Sequence, residues 1–188
     1  MIDTDNDADL VARARRGDDD AFRRLVERHQ AAVARTVFGM LGAGDDADDA
    51  GQETFVRFHQ ALDSFRGDSS VRTYLVRIAM SVSLNALRSR TRRETRFVSD
   101  DTAIEHAVDE TTGAAMPDGD TAERIRLALD ALSEEHRAVV VLRLLEERST
   151  RETAEILEVP EGTVLSRLSR AVRQLRVTLG PVWEEFTE

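Results

Sequence analysis

The chain has 188 residues, with 36 acids against 26 bases, four His and no Cys. This bounds it to one medium domain or two small ones and removes disulfides, thiolate zinc sites and cysteine nucleophiles. With 41% hydrophobic residues, ten Gly and three Pro, it can bury a core but lacks the turn residues of a β-sandwich.

Residues 20–41 read as one long helix. Phe22, Leu25, Val26, His29, Val33, Val37 and Leu41 recur at spacings of three and four, which puts them on one face. His29 on that face reads as a packed or boundary histidine. Gly42 and Gly44 stop the helix. A second helix fits Asp46 to about Ser64, with Gly51, Phe55, Phe58 and Leu62 on one side. Asp45, Asp46, Asp48 and Asp49 suit its positive N-terminal end. Phe65 to Ser70 reads as a turn. A third helix runs from Val71 to about Arg93 through Tyr74, Leu75, Ile78, Val82 and Leu87.

Residues 97–120 lose the periodicity; rich in Asp, Thr, Ala and Gly, they read as a flexible acidic linker. From Thr121 the helical pattern resumes through Ile125, Leu127, Leu129 and Leu132. Ser133 caps a further helix from Glu134 to about Arg148. Its Val139-Val140-Val141 would suit a strand in isolation, but Leu142, Leu144 and Leu145 continue a helical pattern. Ser149-Thr150-Arg151-Glu152 is a capping box opening a short helix to Leu157. Glu158 to Gly162 is a turn, and a last helix reaches about Arg176 with Val164, Leu165, Leu168, Val172 and Leu175 on its apolar side. No strand and no internal repeat emerges. The expected fold is all-α, with two small helical domains at residues 8–96 and 121–179 joined by the linker 97–120.

All 26 bases are Arg, which fits either a GC-rich genome or a salty cytoplasm. The net charge of −10 argues against nucleic acid only if read as one number. Residues 66–96 hold eight Arg against Asp68 and Glu94, and residues 162–176 hold four Arg and no acid. Between them, residues 97–123 hold eight acids and no Arg. A DNA-binding protein needs a local positive footprint, and here there are two; the alternative is that each block is a solvated helix face.

Residues 149–176 form a helix, a short turn and a helix, the arrangement of a DNA reader. Arg167 and Arg170 lie nearer the end that meets base edges; Arg173 and Arg176 suit phosphates or solvent. A small bundle with an Arg-rich outer face is the competing reading. An enzyme is not expected. His29, His59, His106 and His136 are scattered without metal-ligand spacing, and there is no Gly-rich phosphate loop and no Lys. No cofactor, metal or catalytic residue is called for. No apolar run approaches the ~18 residues that span a bilayer, and the first ten residues lack the order of a signal peptide. We therefore expect a cytoplasmic protein without membrane insertion.

The chain resembles the extracytoplasmic-function (ECF, group IV) sigma factors of bacterial RNA polymerase, from about Leu10 to Leu179. Asp46-Ala-Asp-Asp-Ala-Gly-Gln-Glu-Thr-Phe55 is similar to the family's segment that docks on the polymerase. Phe65-Arg-Gly-Asp-Ser-Ser-Val-Arg-Thr-Tyr-Leu-Val-Arg-Ile-Ala79 is similar to the segment that opens the minus-ten element. Leu132-Ser-Glu-Glu-His-Arg-Ala-Val-Val-Val-Leu-Arg143 and Thr163-Val-Leu-Ser-Arg-Leu-Ser-Arg-Ala171 are similar to the minus-thirty-five reader.

The resemblance implies a promoter-specificity subunit that opens DNA without ATP. Its implied partners are core RNA polymerase (β′ clamp helices and β flap), promoter DNA and an anti-sigma factor. Asp46, Asp49, Gln52, Glu53 and Phe55 would bind polymerase, although Phe55 and Phe58 could equally be core. Phe65, Arg66, Asp68, Ser69, Arg72, Tyr74, Arg77, Ser81, Asn85 and Arg88 would bind the minus-ten element, with core roles open for Phe65 and Tyr74. Thr150, Arg151, Glu161, Gly162, Thr163, Ser166, Arg167 and Arg170 would bind the minus-thirty-five element.

Several positions depart from the family pattern. Ala50-Gly51 stands where two larger aliphatics are usual. Phe58-His59 and Tyr74 stand where Trp is common, and Ser81 and Asn85 where Asn and Asp are usual. Leu165 replaces a commonly basic residue. Rival readings are a sigma-like decoy that sequesters an anti-sigma factor without binding DNA, and a free-standing helix-turn-helix repressor.

Overall fold

The computed structural model describes residues 6–98 and 121–180. Among these residues there are eight α-helices and no strand. The chain divides into two compact units, Met1–Ser83 and Leu84–Glu188.

The first unit opens with a helix that the apolar spacing does not announce, α1 (Asp7–Ala14). Asn6 caps it by accepting the Asp9 N–H at 2.9 Å, and Leu10 and Val11 are buried. α2 (Asp19–Leu41) begins at Asp18, whose carboxylate accepts the Ala21 N–H at 3.1 Å. That hydrogen bond, with the ion pair to Arg13, holds the Asp18 carboxyl below its ordinary range. α2 ends at Gly42, where φ is +78°, a conformation that favours glycine. His29 is buried and bonds the Asp7 carboxylate at 2.8 Å, a packed histidine that ties α1 to α2.

α3 (Asp45–Ala61) carries Asp45, Asp46 and Asp48 in its first turn and passes into a 3-10 turn, Leu62–Ser64. α4 follows at Val71–Val98, beginning in this unit and continuing past Ser83 into the next. It runs past Arg93 and through Phe97 and Val98, so the helix enters the stretch read from sequence as linker. The expected linker from residue 99 to 120 lies outside the described residues. The core of this unit gathers Leu10, Leu25, Val33, Val37, Phe58, Leu62 and Leu75. Phe58 is fully buried, and burying such a ring contributes about 1.5–3 kcal/mol.

The second unit contains α5 (Thr121–Asp130), α6 (Glu134–Val140), α7 (Thr150–Leu157) and α8 (Glu161–Leu179). The helix expected to run from Glu134 to about Arg148 ends earlier. After Val140 the backbone widens into a π-helical turn, Val141–Leu145, with the Glu146 N–H donating to the Val141 carbonyl at 2.9 Å. Glu147 then adopts φ +54°. Just past the turn Glu146 and Arg148 are both buried. Ala128, Leu129, Leu132, Val140, Ala171 and Leu175 form one core cluster; Val139, Ala154 and Val164 form another under the α7–α8 crossing.

Candidate nucleic-acid interface

The segment between the 3-10 turn and α4 is short and held at both ends. At its start the Phe65 N–H donates to the Ala61 carbonyl at 3.0 Å. At its end Ser70 accepts the Thr73 N–H on its hydroxyl at 3.1 Å and the Tyr74 N–H on its carbonyl at 3.0 Å. Gly67 supplies the φ of +78° that reverses the chain. Arg66 and Asp68 are exposed and Ser69 is half-buried. Phe65 and Tyr74 lie 5.0 Å apart, ring to ring, and both pack on Phe58 at 6.3 and 6.1 Å. Both rings are half-buried: they belong to the edge of the core and keep a partly open surface.

On α4, Arg72, Arg77, Ser81, Asn85 and Arg88 are all exposed. From Arg77 onward they recur at spacings of four, four and three, which aligns them on one side of the helix. Val71, Leu75, Ala79 and Val82 occupy the opposite, buried side.

On α3, Asp46, Asp49, Gln52 and Glu53 are exposed, whereas Ala47, Ala50, Thr54 and Phe58 face the core. Phe55 is half-buried and packs against that core. Val56 is 49% exposed and lies one helical turn beyond Gln52 and Glu53. It adds an apolar spot to an otherwise acidic face. Its spacing from Asp49 and Gln52 was the available signal, but a single Val is easily passed over. Glu53 pairs with Arg57 at 2.7 Å.

In the second unit the capping box is present as read. The Ser149 hydroxyl accepts the Glu152 N–H at 3.1 Å, and the Glu152 carboxylate accepts the Ser149 N–H at 2.9 Å. That backbone hydrogen bond, with the Ser149 hydroxyl, holds the Glu152 carboxyl below its ordinary range. Thr150 is half-buried, Arg151 is exposed and pairs with Glu155 at 3.0 Å. Ala154 is buried beneath the crossing with α8.

At the start of α8, Glu161, Gly162, Ser166 and Arg170 are exposed and Thr163 is half-buried. Arg167 differs: it is half-buried and bonds Glu135 of α6 at 2.7 Å. His136, the next residue on α6, has its pKa lowered by burial and then by the nearby charge of Arg170. Leu165 is 55% exposed, an apolar side chain on the outer surface of the candidate reading helix. Sequence spacing gave no sign of the Glu135 pair, because it joins two helices across a turn and a π-helical segment.

Among the described residues no group of three His, Asp or Glu is arranged to hold a metal ion. No described helix is long and apolar enough to cross a membrane. The described residues present an acidic face on α3, a polar loop leading into a helix stripe of Arg, Ser and Asn on α4, and a tight α7–α8 helix pair with exposed Arg151 and Arg170.

Two family models match separate stretches of the chain. Residues 25–93 match the family described as Sigma-70 region 2, and residues 122–175 match Sigma-70, region 4. The chain is 38% identical over 172 residues to the ECF RNA polymerase sigma-E factors of Salmonella typhimurium and Escherichia coli, covering 86% of this chain and 88% of each relative. It is 31% identical to the RNA polymerase sigma-H factor of Pseudomonas aeruginosa, over 98% of this chain and all of that relative. Among solved structures it is similar to CnrH, determined in complex with the cytosolic domain of CnrY, with 30% identity and a TM-score of 0.65 over 93% of this chain and 97% of that one. It is also similar to the sigma factor RpoE of Bartonella quintana, determined with the anti-sigma factor NepR, with 25% identity and a TM-score of 0.65 over 85% of this chain and 97% of that one. The chain belongs to the ECF sigma factors of RNA polymerase.

Proposed function

We propose that this sigma factor acts in the cytoplasm, without catalysis of its own, through three surfaces. The acidic face of α3, with Asp46, Asp49, Gln52, Glu53 and the edge of Phe55, docks on the clamp helices of core polymerase. The loop Arg66–Ser69 and the α4 stripe Arg72, Arg77, Ser81, Asn85 and Arg88 take the melted minus-ten strand, with Phe65 and Tyr74 offering partly open rings. Stacking contributes about 1–3 kcal/mol per captured base, which offsets lost pairing without ATP. Thr150, Arg151, Glu161, Gly162, Thr163, Ser166, Arg167 and Arg170 address the minus-thirty-five duplex. The domains 8–96 and 121–179 carry these tasks, the linker joins them, and the second domain also reaches the β flap.

The observation that carries this reading is the pairing of an exposed Arg-Ser-Asn-Arg stripe on α4 with a tethered four-residue loop at its head. An anti-sigma factor is a fitting partner, because RpoE was determined in complex with the anti-sigma factor NepR and CnrH in complex with the cytosolic domain of CnrY.

The test is promoter-directed run-off transcription with core polymerase and promoters selected from genomic fragments. A defined transcript is expected, lost when Asp49, Gln52 and Glu53 are all replaced by Ala. Core binding without any transcript would favour the decoy reading, to which the internally paired Arg167 and exposed Leu165 lend support. Tight duplex binding in the absence of polymerase would favour the repressor.

A further inference from the structure

The strand-capture loop is not held by its own element alone. Arg15, the residue that ends α1, reaches across to the turn preceding the loop. Its Nε donates to the Leu62 carbonyl at 2.9 Å, and its Nη2 donates to the Phe65 carbonyl. The Leu62 carbonyl also accepts the Phe65 N–H at 3.3 Å. The guanidinium therefore bridges the two ends of the 3-10 turn, and its second contact is the last carbonyl before Arg66.

The far side of this bridge is rigid. Leu10 and Val11 bury α1 in the core. Arg13 pairs with the α2 cap Asp18 at 2.8 Å, and the Arg15 N–H closes on the Val11 carbonyl at 3.0 Å. Ser70 fixes the other end of the loop through its bonds to Thr73 and Tyr74. Only Arg66, Gly67, Asp68 and Ser69 are left between the two anchors. A planar fork with several fixed donors spans two carbonyls in a way a single ammonium does not.

We propose that Arg15 is a positioning residue for promoter opening: it fixes where the loop begins, so that Arg66, Asp68 and Ser69 meet an unpaired base already in place. It touches no DNA itself. The contact lowers the ordering that strand binding would otherwise demand of the loop. The proposal rests on the reading of this loop as the strand-capture element.

The test uses holoenzyme assembled from core polymerase and the full chain. The probe is a fluorescent single-stranded DNA selected by wild-type holoenzyme from a randomised pool. Arg15→Ala should weaken the probe about tenfold, the scale of a lost charge-assisted hydrogen bond, with affinity for core polymerase unchanged. Arg15→Lys and Arg15→Gln, each able to reach one carbonyl, should fall between. Arg15→Ala combined with Ser69→Ala should lose less than the two single losses together.

Thermal melting by circular dichroism accompanies each variant; should Arg15→Ala fail to fold, Arg15→Gln and Arg15→Lys carry the comparison. Unchanged probe affinity in the folded Arg15 variants, while Asp68→Ala and Ser69→Ala weaken it, overturns the positioning role. Equal losses of probe and core affinity in the Arg15 variants also overturn it, since that is what a general loss of fold produces. Probe affinity indifferent to Arg66→Ala, Asp68→Ala and Ser69→Ala overturns the loop reading itself.

Discussion

Arg167 on α8 donates to the Glu135 carboxylate on α6 across 2.7 Å, with 20% of the Arg167 side chain and 67% of the Glu135 side chain exposed. α8 thus presents one of its arginines already engaged within the protein. Glu135→Gln should change stability by no more than about 1 kcal/mol, because the pair is open to solvent on its acidic side. It should release Arg167 toward phosphate and steepen the salt dependence of duplex promoter binding by about 0.9 in the log–log slope. Fluorescence anisotropy across a salt series reads this directly. An unchanged slope would mean that Arg167 serves the α6–α8 contact alone.

Gly51 lies inside α3 at an ordinary helical φ, and a Cβ added there would meet nothing within 4 Å. Packing does not demand glycine. Gly51→Ala should therefore stabilise the chain by about 1 kcal/mol, seen as a raised urea midpoint with an unchanged slope.

Phe58 is fully buried and touches the rings of Phe22, Phe65 and Tyr74. Phe58→Ala should destabilise by about 3–5 kcal/mol, whereas Phe58→Leu should be milder. Denaturant unfolding measures both, and transcription from Phe58→Ala should fail through loss of fold.

The start of α7 depends on one reciprocal pair. Ser149→Ala should cost about 1 kcal/mol. The Glu152 carboxyl, kept low chiefly by the Ser149 backbone N–H, has a folded pKa below its unfolded one. Its contribution is present above the unfolded value near 4.5 and is lost as pH falls through the folded value. Glu152→Gln should flatten that acid-side decline in unfolding experiments.

His136 behaves in the same sense in a milder pH range. Burial and the charge of Arg170, with a smaller push from Arg167, outweigh the pull of Glu135. The unfolded chain therefore takes up the proton first as pH falls. The stability associated with neutral His136 is present above about 6.5 and declines as pH drops through the folded value. Denaturant midpoints on the two sides of that value should differ in the wild-type chain, and His136→Gln should reduce the difference.

The long helices were legible because their apolar residues recur over many turns: Leu25, Val33 and Val37 on α2 are the core residues that their spacing implies. The capping box was legible for a different reason. Ser149 and Glu152 satisfy each other's backbone groups, so the chemistry is local. α1 was not, since only Leu10 and Val11 are buried in its eight residues and two apolar positions define no period. Arg15 gave no signal either: its partners lie 47 and 50 residues away. On the candidate surfaces, exposure of Asp49, Gln52, Arg77, Ser81 and Asn85 follows from helical phase. The inward turn of Arg167 does not, because a partner on another helix decides it.

The π-helical turn at Val141–Leu145 carries an extra residue. The hydrogen bond from the Glu146 N–H to the Val141 carbonyl encloses one residue more than an α-helical turn does. Deleting a single residue there would restore the regular i→i+4 ladder, because the wide turn absorbs one extra residue within itself. The approach to α7 is thus set by a backbone turn that a one-residue change in length would reshape, whatever side chains it carries.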